Sequence, residues 1–223
     1  MKKVFITILL AALLTPASAQ DTVDHARRQS LWAPASALSL LAAGTAFTYV
    51  PPMRQTAVEL RDALQSDNHS RVRADDYVQY LPAATAPLLN ICGMESAHTL
   101  KQMALLEGGS YLLGALLLNA GKYGLRVLRP DGSSYNSFPS GHTFTAFTGA
   151  EVLRREYGAE YPALAVAGYA LAAAVGAMRM YNNRHWLGDV LAGAGLGVLT
   201  VSCTYWIADR HILNKNRKHN TIE

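Results

Sequence analysis

KYGLRVLRP (residues 122–130), PSGH (139–142) and RMYNNRHWLGD (179–189) are three short polar clusters set into a chain otherwise rich in Ala and Leu. Their placement decides the fold, because each falls where an apolar stretch stops or starts. The apolar stretches are longer than ordinary strands and are built from strong helix formers, so the chain reads as helical throughout. Helices are expected at about 31–49, 54–66, 75–92, 98–121, 141–157, 161–178 and 187–209. Asp131-Gly132-Ser133-Ser134 is a turn that lets the chain double back and present Ser140.

Spacing within the clusters carries chemistry. Lys122 and Arg129 lie seven residues apart, about two helical turns, so both cations can leave one face of a helix before Pro130 ends it. His185 and Asp189 lie four apart, which brings a carboxylate to a ring nitrogen if the stretch is helical.

In order and spacing the clusters resemble the tripartite signature of the type 2 phosphatidic acid phosphatase superfamily: Lys, six residues, Arg-Pro; Pro-Ser-Gly-His; then Ser-Arg, five residues, His, three residues, Asp. Met178 is the one departure, standing where the family usually has Ser before the arginine. It removes a secondary hydrogen bond and none of the principal roles. With the helical reading this gives an all-α fold, a bundle of about six core helices that is membrane-embedded or membrane-associated.

A phosphate ester repels a nucleophile, so its site must first neutralise oxygens and hold the phosphorus in line. The resemblance implies Lys122, Arg129 and Arg179 for that task, with the backbone N–H groups of Ser140 and Gly141 completing an anion cradle at a helix start. It implies His185 as nucleophile, held by Asp189, and His142 as the residue that protonates the leaving oxygen and later activates water. Spacing alone supports only the His185–Asp189 pairing. The resemblance implies no metal and no cofactor, and the chain has no Cys/His zinc spacing.

Met1 to Gln20 reads as an export signal: Lys2-Lys3, an apolar run from Val4 to Leu14, then Ala17-Ser18-Ala19. Cleavage after Ala19 would leave residues 20–223 as a single helical phosphatase domain on the periplasmic side of a membrane, in the cell envelope. A net charge of +4 and a pI near 9.1 suit anionic ligands or an anionic membrane face. Nucleic acid is not suggested, because the basic residues are not interleaved with aromatics. Cys92 and Cys203 could pair in an oxidising compartment, but both sit in apolar stretches and buried free thiols are favoured. Gly193-Ala194-Gly195-Leu196-Gly197 faintly resembles a dinucleotide loop, but no strand precedes it, so close helix packing through Gly193 and Gly197 is expected. Trp186 and Trp206 read as packing or interfacial residues.

Segments 29–53, 161–178 and 190–208 contain no Asp, Glu, Lys or Arg and are about long enough to cross a bilayer. The helix from His142 is not, since it meets Glu151, Arg154, Arg155 and Glu156. If 31–49, 75–92 and 98–121 all crossed, the clusters would face the cytoplasm. At least one is therefore expected not to cross, and Pro82 and Pro87 make 75–92 the weakest. A mean hydropathy of +0.08 favours partial or peripheral embedding over six full spans. The expected partners are a phosphorylated lipid, with lipid A favoured over undecaprenyl diphosphate and phosphatidylglycerol phosphate, and a membrane surface; oligomeric state has no reading. The alternatives are a soluble broad-specificity acid phosphatase, a vanadate-dependent haloperoxidase and a non-catalytic phospholipid-binding protein.

Overall fold

Proline and capping chemistry set most of the helix boundaries. Pro51-Pro52, Pro82 and Pro162 each stand in the first turn of a helix, where the missing N–H has no partner to lose. Thr99 and Gln102 close a capping box, each side chain accepting from the other's backbone N–H. The computed structural model describes residues 22–65 and 70–219, with side-chain surroundings from 32 to 210. The described helices are α1 (Thr22–Tyr49), α2 (Pro51–Leu64), α3 (Asp75–Val78), α4 (Leu81–Ile91), α5 (Leu100–Leu125), α6 (Gly141–Tyr157), α7 (Pro162–Tyr181) and α8 (Leu187–His219). The proposed signal at residues 1–19 lies outside the described residues.

Two helix expectations are corrected. The stretch 75–92 is broken into α3 and α4, because Pro82 starts a new helix rather than continuing one. The helix expected to stop at 121 continues to Leu125 and is ended by Arg126 in the left-handed region, at φ 48°. Arg129 therefore lies beyond the helix, and does not share a helical face with Lys122.

α8 is the central helix, packed along α1, α6 and α5. Its glycines make this possible on two sides. A Cβ at Gly193 would lie 2.5 Å from the Ser140 carbonyl oxygen, and one at Gly197 2.8 Å from that of Phe144, both at α6. A Cβ at Gly195 would meet the Ala37 carbonyl of α1 at 2.6 Å. The expected glycine packing is thus found, with Gly195 serving the opposite face. Ala37, Ala146, Ala150, Ala172 and Ala192, all fully buried, continue this small-residue core.

The charges of α6 are buried in protein. Glu151 is fully buried and accepts from Arg154 Nε (2.6 Å), Arg155 Nε (2.8 Å) and the Tyr169 hydroxyl (2.5 Å). Glu156 accepts from the Tyr205 hydroxyl (2.6 Å) and the His98 backbone N–H (3.0 Å), with the His98 ring 3.0 Å away. α5 is the reverse: Leu105, Leu112 and Leu116 form an exposed stripe at helical spacing. Among the described residues, Leu100–Leu125, Pro162–Tyr181 and Leu187–Arg210 are long and apolar enough to cross a membrane, and α1 with α2 forms a fourth candidate bent by 86°. At 11 residues, α4 is a short apolar helix outside that set. Trp206 is 52% exposed under the Arg210 guanidinium, as an interfacial residue would be. Both cysteines are free, but Cys92 is exposed at the end of α4 and Cys203 half-buried, so the expectation of two buried thiols fails where an apolar segment ends at the surface.

Gly193→Val should cost about 1–3 kcal/mol through overpacking, read as a lower unfolding temperature by circular dichroism in detergent. Gly108→Ala, at an α5 position where a Cβ meets nothing within 4 Å, should leave that temperature unchanged or raise it.

Candidate active site

The loop between α5 and α6 is folded on itself around Asn136. Lys122, in the last turn of α5, donates from Nζ to the Asn136 carbonyl (2.8 Å), while Arg129 Nε and Ser134 Oγ both donate to Asn136 Oδ1, each at 2.8 Å. One asparagine thus brings together two cations that the helix does not align. The loop is tied to the third cluster by Arg184 Nη1 to Asp131 Oδ2 (2.7 Å) and by Trp186 Nε1 to the Leu128 carbonyl (2.8 Å). Arg61 of α2 spans both, donating from Nε to Asn183 Oδ1 (3.0 Å) and from Nη2 to the Pro130 carbonyl (3.2 Å).

Ser140 is the residue before α6 and is fully buried. Its N–H donates to the Asp189 carbonyl (2.9 Å) and its Oγ accepts from Thr143 (2.9 Å). This corrects the cradle: the Ser140 N–H is already used, and the donors at the helix start begin with Gly141.

His185 precedes α8 rather than lying within a helix, yet it still meets Asp189 of the first turn. Asp189 Oδ2 accepts from Trp186 N–H (2.9 Å) and from Ser137 Oγ, and faces His185 Nδ1 at 3.4 Å. Burial lowers the His185 pKa to about 4, with Lys122 and Arg179 adding to the effect. Asp189, through its hydrogen bond and its charge, is the main effect working against burial, but it does not overcome it.

Arg179, in the last turn of α7, is 3% exposed; its Nη1 lies 2.5 Å from Asp75 Oδ2 and 3.7 Å from Asp76 Oδ1. One side of this guanidinium is therefore committed to carboxylates. His142 Nε2 lies 2.9 Å from Asp76 Oδ1. Burial and then Arg179 lower the His142 pKa, while the Asp76 hydrogen bond works against them; that same bond is the main cause of a lowered Asp76 pKa. Asp75, Asp76 and His142 offer ligand atoms within 4.8 Å of one another, but Arg179 supplies positive charge to that same cluster.

Four buried side-chain atoms have no protein partner among the described residues: Arg54 Nη1, Arg179 Nε, Arg184 Nε and Asp189 Oδ1. Arg54 belongs to α2 and stacks 3.8 Å over the Trp186 ring, one residue from His185. Beside it, Ala57, Leu60, Leu64, Met180 and Leu187 line an apolar recess that reaches His185.

Asp75, Asp76, Asn136, Ser137 and Arg54 were not singled out in the sequence. Ser137 and Asn136 sit in turn-like sequence, where Ser and Asn are ordinary. The acidic pair reads as the favourable first turn of a helix. Only its adjacency, two carboxylates in a row ahead of an apolar stretch, was available as a signal.

The fold is a helical bundle with candidate membrane spans, and its helix ends bring together several cations and two histidines. A family model described as the PAP2 superfamily matches residues 94–212, and the chain belongs to that superfamily. It is 50% identical over 101 residues to the Lipid A 1-phosphatase of Porphyromonas gingivalis, a match covering 45% of this chain and 22% of that protein. Two solved structures share the fold at 22% identity. LpxE of Aquifex aeolicus has a TM-score of 0.51 over 66% of this chain and 93% of its own. The first transmembrane PAP2 type phosphatidylglycerolphosphate phosphatase from Bacillus subtilis has 0.56 over 81% and 98%.

Asp75→Ala would strand the buried Arg179 charge and should cost about 3–5 kcal/mol. Asp131→Ala breaks the more open pair with Arg184 and should cost about 1 kcal/mol or less. Thermal unfolding of both variants in detergent checks the contrast.

Proposed function

We propose that the chain is a metal-independent phosphatase that removes phosphate from a phosphorylated envelope lipid of the lipid A type, through a phosphohistidine at His185. One observation carries the reading: His185 turns Nδ1 to Asp189 Oδ2 (3.4 Å), which leaves Nε2 free to attack phosphorus. A pKa near 4 keeps the ring neutral and nucleophilic at ordinary pH. Asp189 then stabilises the positive charge that develops on the ring as the N–P bond forms. Lys122, Arg129, Arg179 and the N–H groups from Gly141 onward neutralise the phosphoryl oxygens. His142 gives a proton to the departing oxygen as the P–O bond breaks, and takes one from the water that then releases phosphate. The 50% identity to a Lipid A 1-phosphatase supports the substrate class, as does the exposed leucine stripe of α5, which suits an enzyme meeting its substrate at a membrane.

Phosphate release should be measured in detergent micelles on lipid A 1-phosphate and on a soluble ester side by side. The lipid should be preferred, His185→Ala should lose at least about 10³-fold in kcat with the fold retained, and EDTA should change nothing. Normal turnover by a folded His185→Ala protein removes His185 from the chemistry. Activity lost on chelation and restored by a divalent ion overturns the metal-free scheme.

We further propose that the site faces the periplasm, a reading supported by the proposed export signal at Met1–Gln20 and by the basic residues Arg154, Arg155, Arg210, Lys215, Arg217 and Lys218. Single cysteines at Ser134 and Asn216, probed in intact cells with an impermeant thiol reagent, test this. Labelling of Ser134→Cys alone indicates spanning helices, and labelling of both indicates a wholly exported domain. Ser134→Cys labelled only after lysis overturns the assignment.

A further inference from the structure

None of the three sequence clusters includes α3, yet this single turn touches a member of two of them. Its first two residues send consecutive carboxylates to different partners: Asp75 Oδ2 to Arg179 Nη1 at 2.5 Å, and Asp76 Oδ1 to His142 Nε2 at 2.9 Å. Asp75 is the anchor. It is fully buried and also accepts from Asn182 Nδ2 (3.2 Å), and the Asn182 amide closes on the Val72 backbone from both sides, at 2.9 and 2.7 Å. With Asp75 fixed, Asp76 has little freedom in where it stands, although its own side chain is 37% exposed.

We infer that Asp76 is the positioning residue for His142, accepting from Nε2 so that the ring is held in one orientation and one tautomer and Nδ1 is left to exchange protons with the reacting oxygens. The inference rests on the proposed role of His142 as acid. The charged groups around His142 are Asp75, Asp76 and Arg179, with Arg71 behind Asp76 at 3.8 Å. A half-buried imidazole beside Arg179 is driven towards its neutral form, which has no proton to give from the free nitrogen; a carboxylate on the other nitrogen counters that. The cycle then balances. Imidazolium Nδ1–H passes its proton to the ester oxygen as the P–O bond breaks and the bond to His185 forms. The neutral ring takes a proton from water as water attacks phosphorus and the P–N bond breaks, which restores the imidazolium and releases phosphate.

The test compares Asp76→Asn, His142→Ala and the double variant of the full chain in detergent, on a lipid monophosphate with a poor leaving group and on p-nitrophenyl phosphate. Asp76→Asn should slow single-turnover phosphorylation of the enzyme at least about tenfold on the lipid and under about threefold on the activated ester, whose leaving group needs no protonation in that step. The double variant should be no slower than His142→Ala, because a residue that acts only through His142 has nothing left to position. Asp76→Glu should recover part of the loss. Equal losses on both esters, or losses that multiply in the double variant, overturn the inference while leaving the phosphatase reading standing. Wild-type protein inactive on both esters defeats that reading and this inference with it. If Asp76→Asn does not fold, Asp76→Ser carries the same comparison.

Discussion

The close approach of α6 to α8 is the constraint on which the site depends. The Ser140 N–H donates to the Asp189 carbonyl at 2.9 Å, and Gly193 lets the Ser140 carbonyl lie where any side chain would intrude. Two helix N-termini are thereby set side by side, and the backbone partial charges of both are positive there. α5 and α7 run the other way and end at the same place, bringing Lys122 and Arg179 in their last turns. A cation in a last turn is also favourable to its own helix. Local helix electrostatics and the cationic pocket therefore ask for the same residues at the same ends, and the pocket does not have to be built against the preferences of its scaffold.

The other end of α6 solves a different problem. Glu151, Arg154, Arg155 and Glu156 would be expensive in hydrocarbon, and burying them in protein is tolerable only because each carboxylate has several donors. Tyr169 comes from α7, while Tyr205 and Ser202 come from α8; Arg155 reaches Ser202 at 3.1 Å and lies 5.2 Å over the Tyr205 ring. His98, just ahead of α5, joins through Glu156. The charged end of α6 thus fastens α5, α7 and α8 to one another, while α5 adds its leucine stripe to the exposed apolar surface.

Much of this is legible in the sequence. Lys122, Arg129, Ser140, Gly141, His142, Arg179, His185 and Asp189 stand where helices stop and start, because polar residues that break an apolar run mark its ends whatever they later do. The glycine run is legible for the same reason, since a repeat of small residues within a helix has few uses other than close packing. What could not be read is who holds whom. That Arg129 reaches Lys122 through Asn136, rather than along a helix face, depends on a left-handed Arg126 that spacing alone does not reveal. Asp75 lies 104 residues from Arg179, and Asp76 lies 66 from His142. Contacts of that range are set by tertiary packing, and a first-turn acid looks the same in sequence whether it faces water or an arginine.

The unpaired buried atoms give the pocket its sign. Buried polar atoms in proteins are nearly always hydrogen-bonded, so each exception asks for an explanation. Of the four among the described residues, one is the acceptor Asp189 Oδ1, and three are guanidinium nitrogens, on Arg54, Arg179 and Arg184, each on a residue at or beside the site. All three are donors, and a guanidinium can be satisfied only by an acceptor. Asp75 and Asp131 already use the other edges of Arg179 and Arg184. That leaves Nε–H groups without a protein acceptor in a region where the nearby carboxylate Asp189 has committed Oδ2 to Ser137 and Trp186. A surplus of donors beside helix N-termini is the electrostatic complement of a group with several acceptor oxygens and net negative charge. A phosphoryl group has that character, its charge being spread over three equatorial oxygens during transfer, when preorganised donors need no reorganisation to meet it.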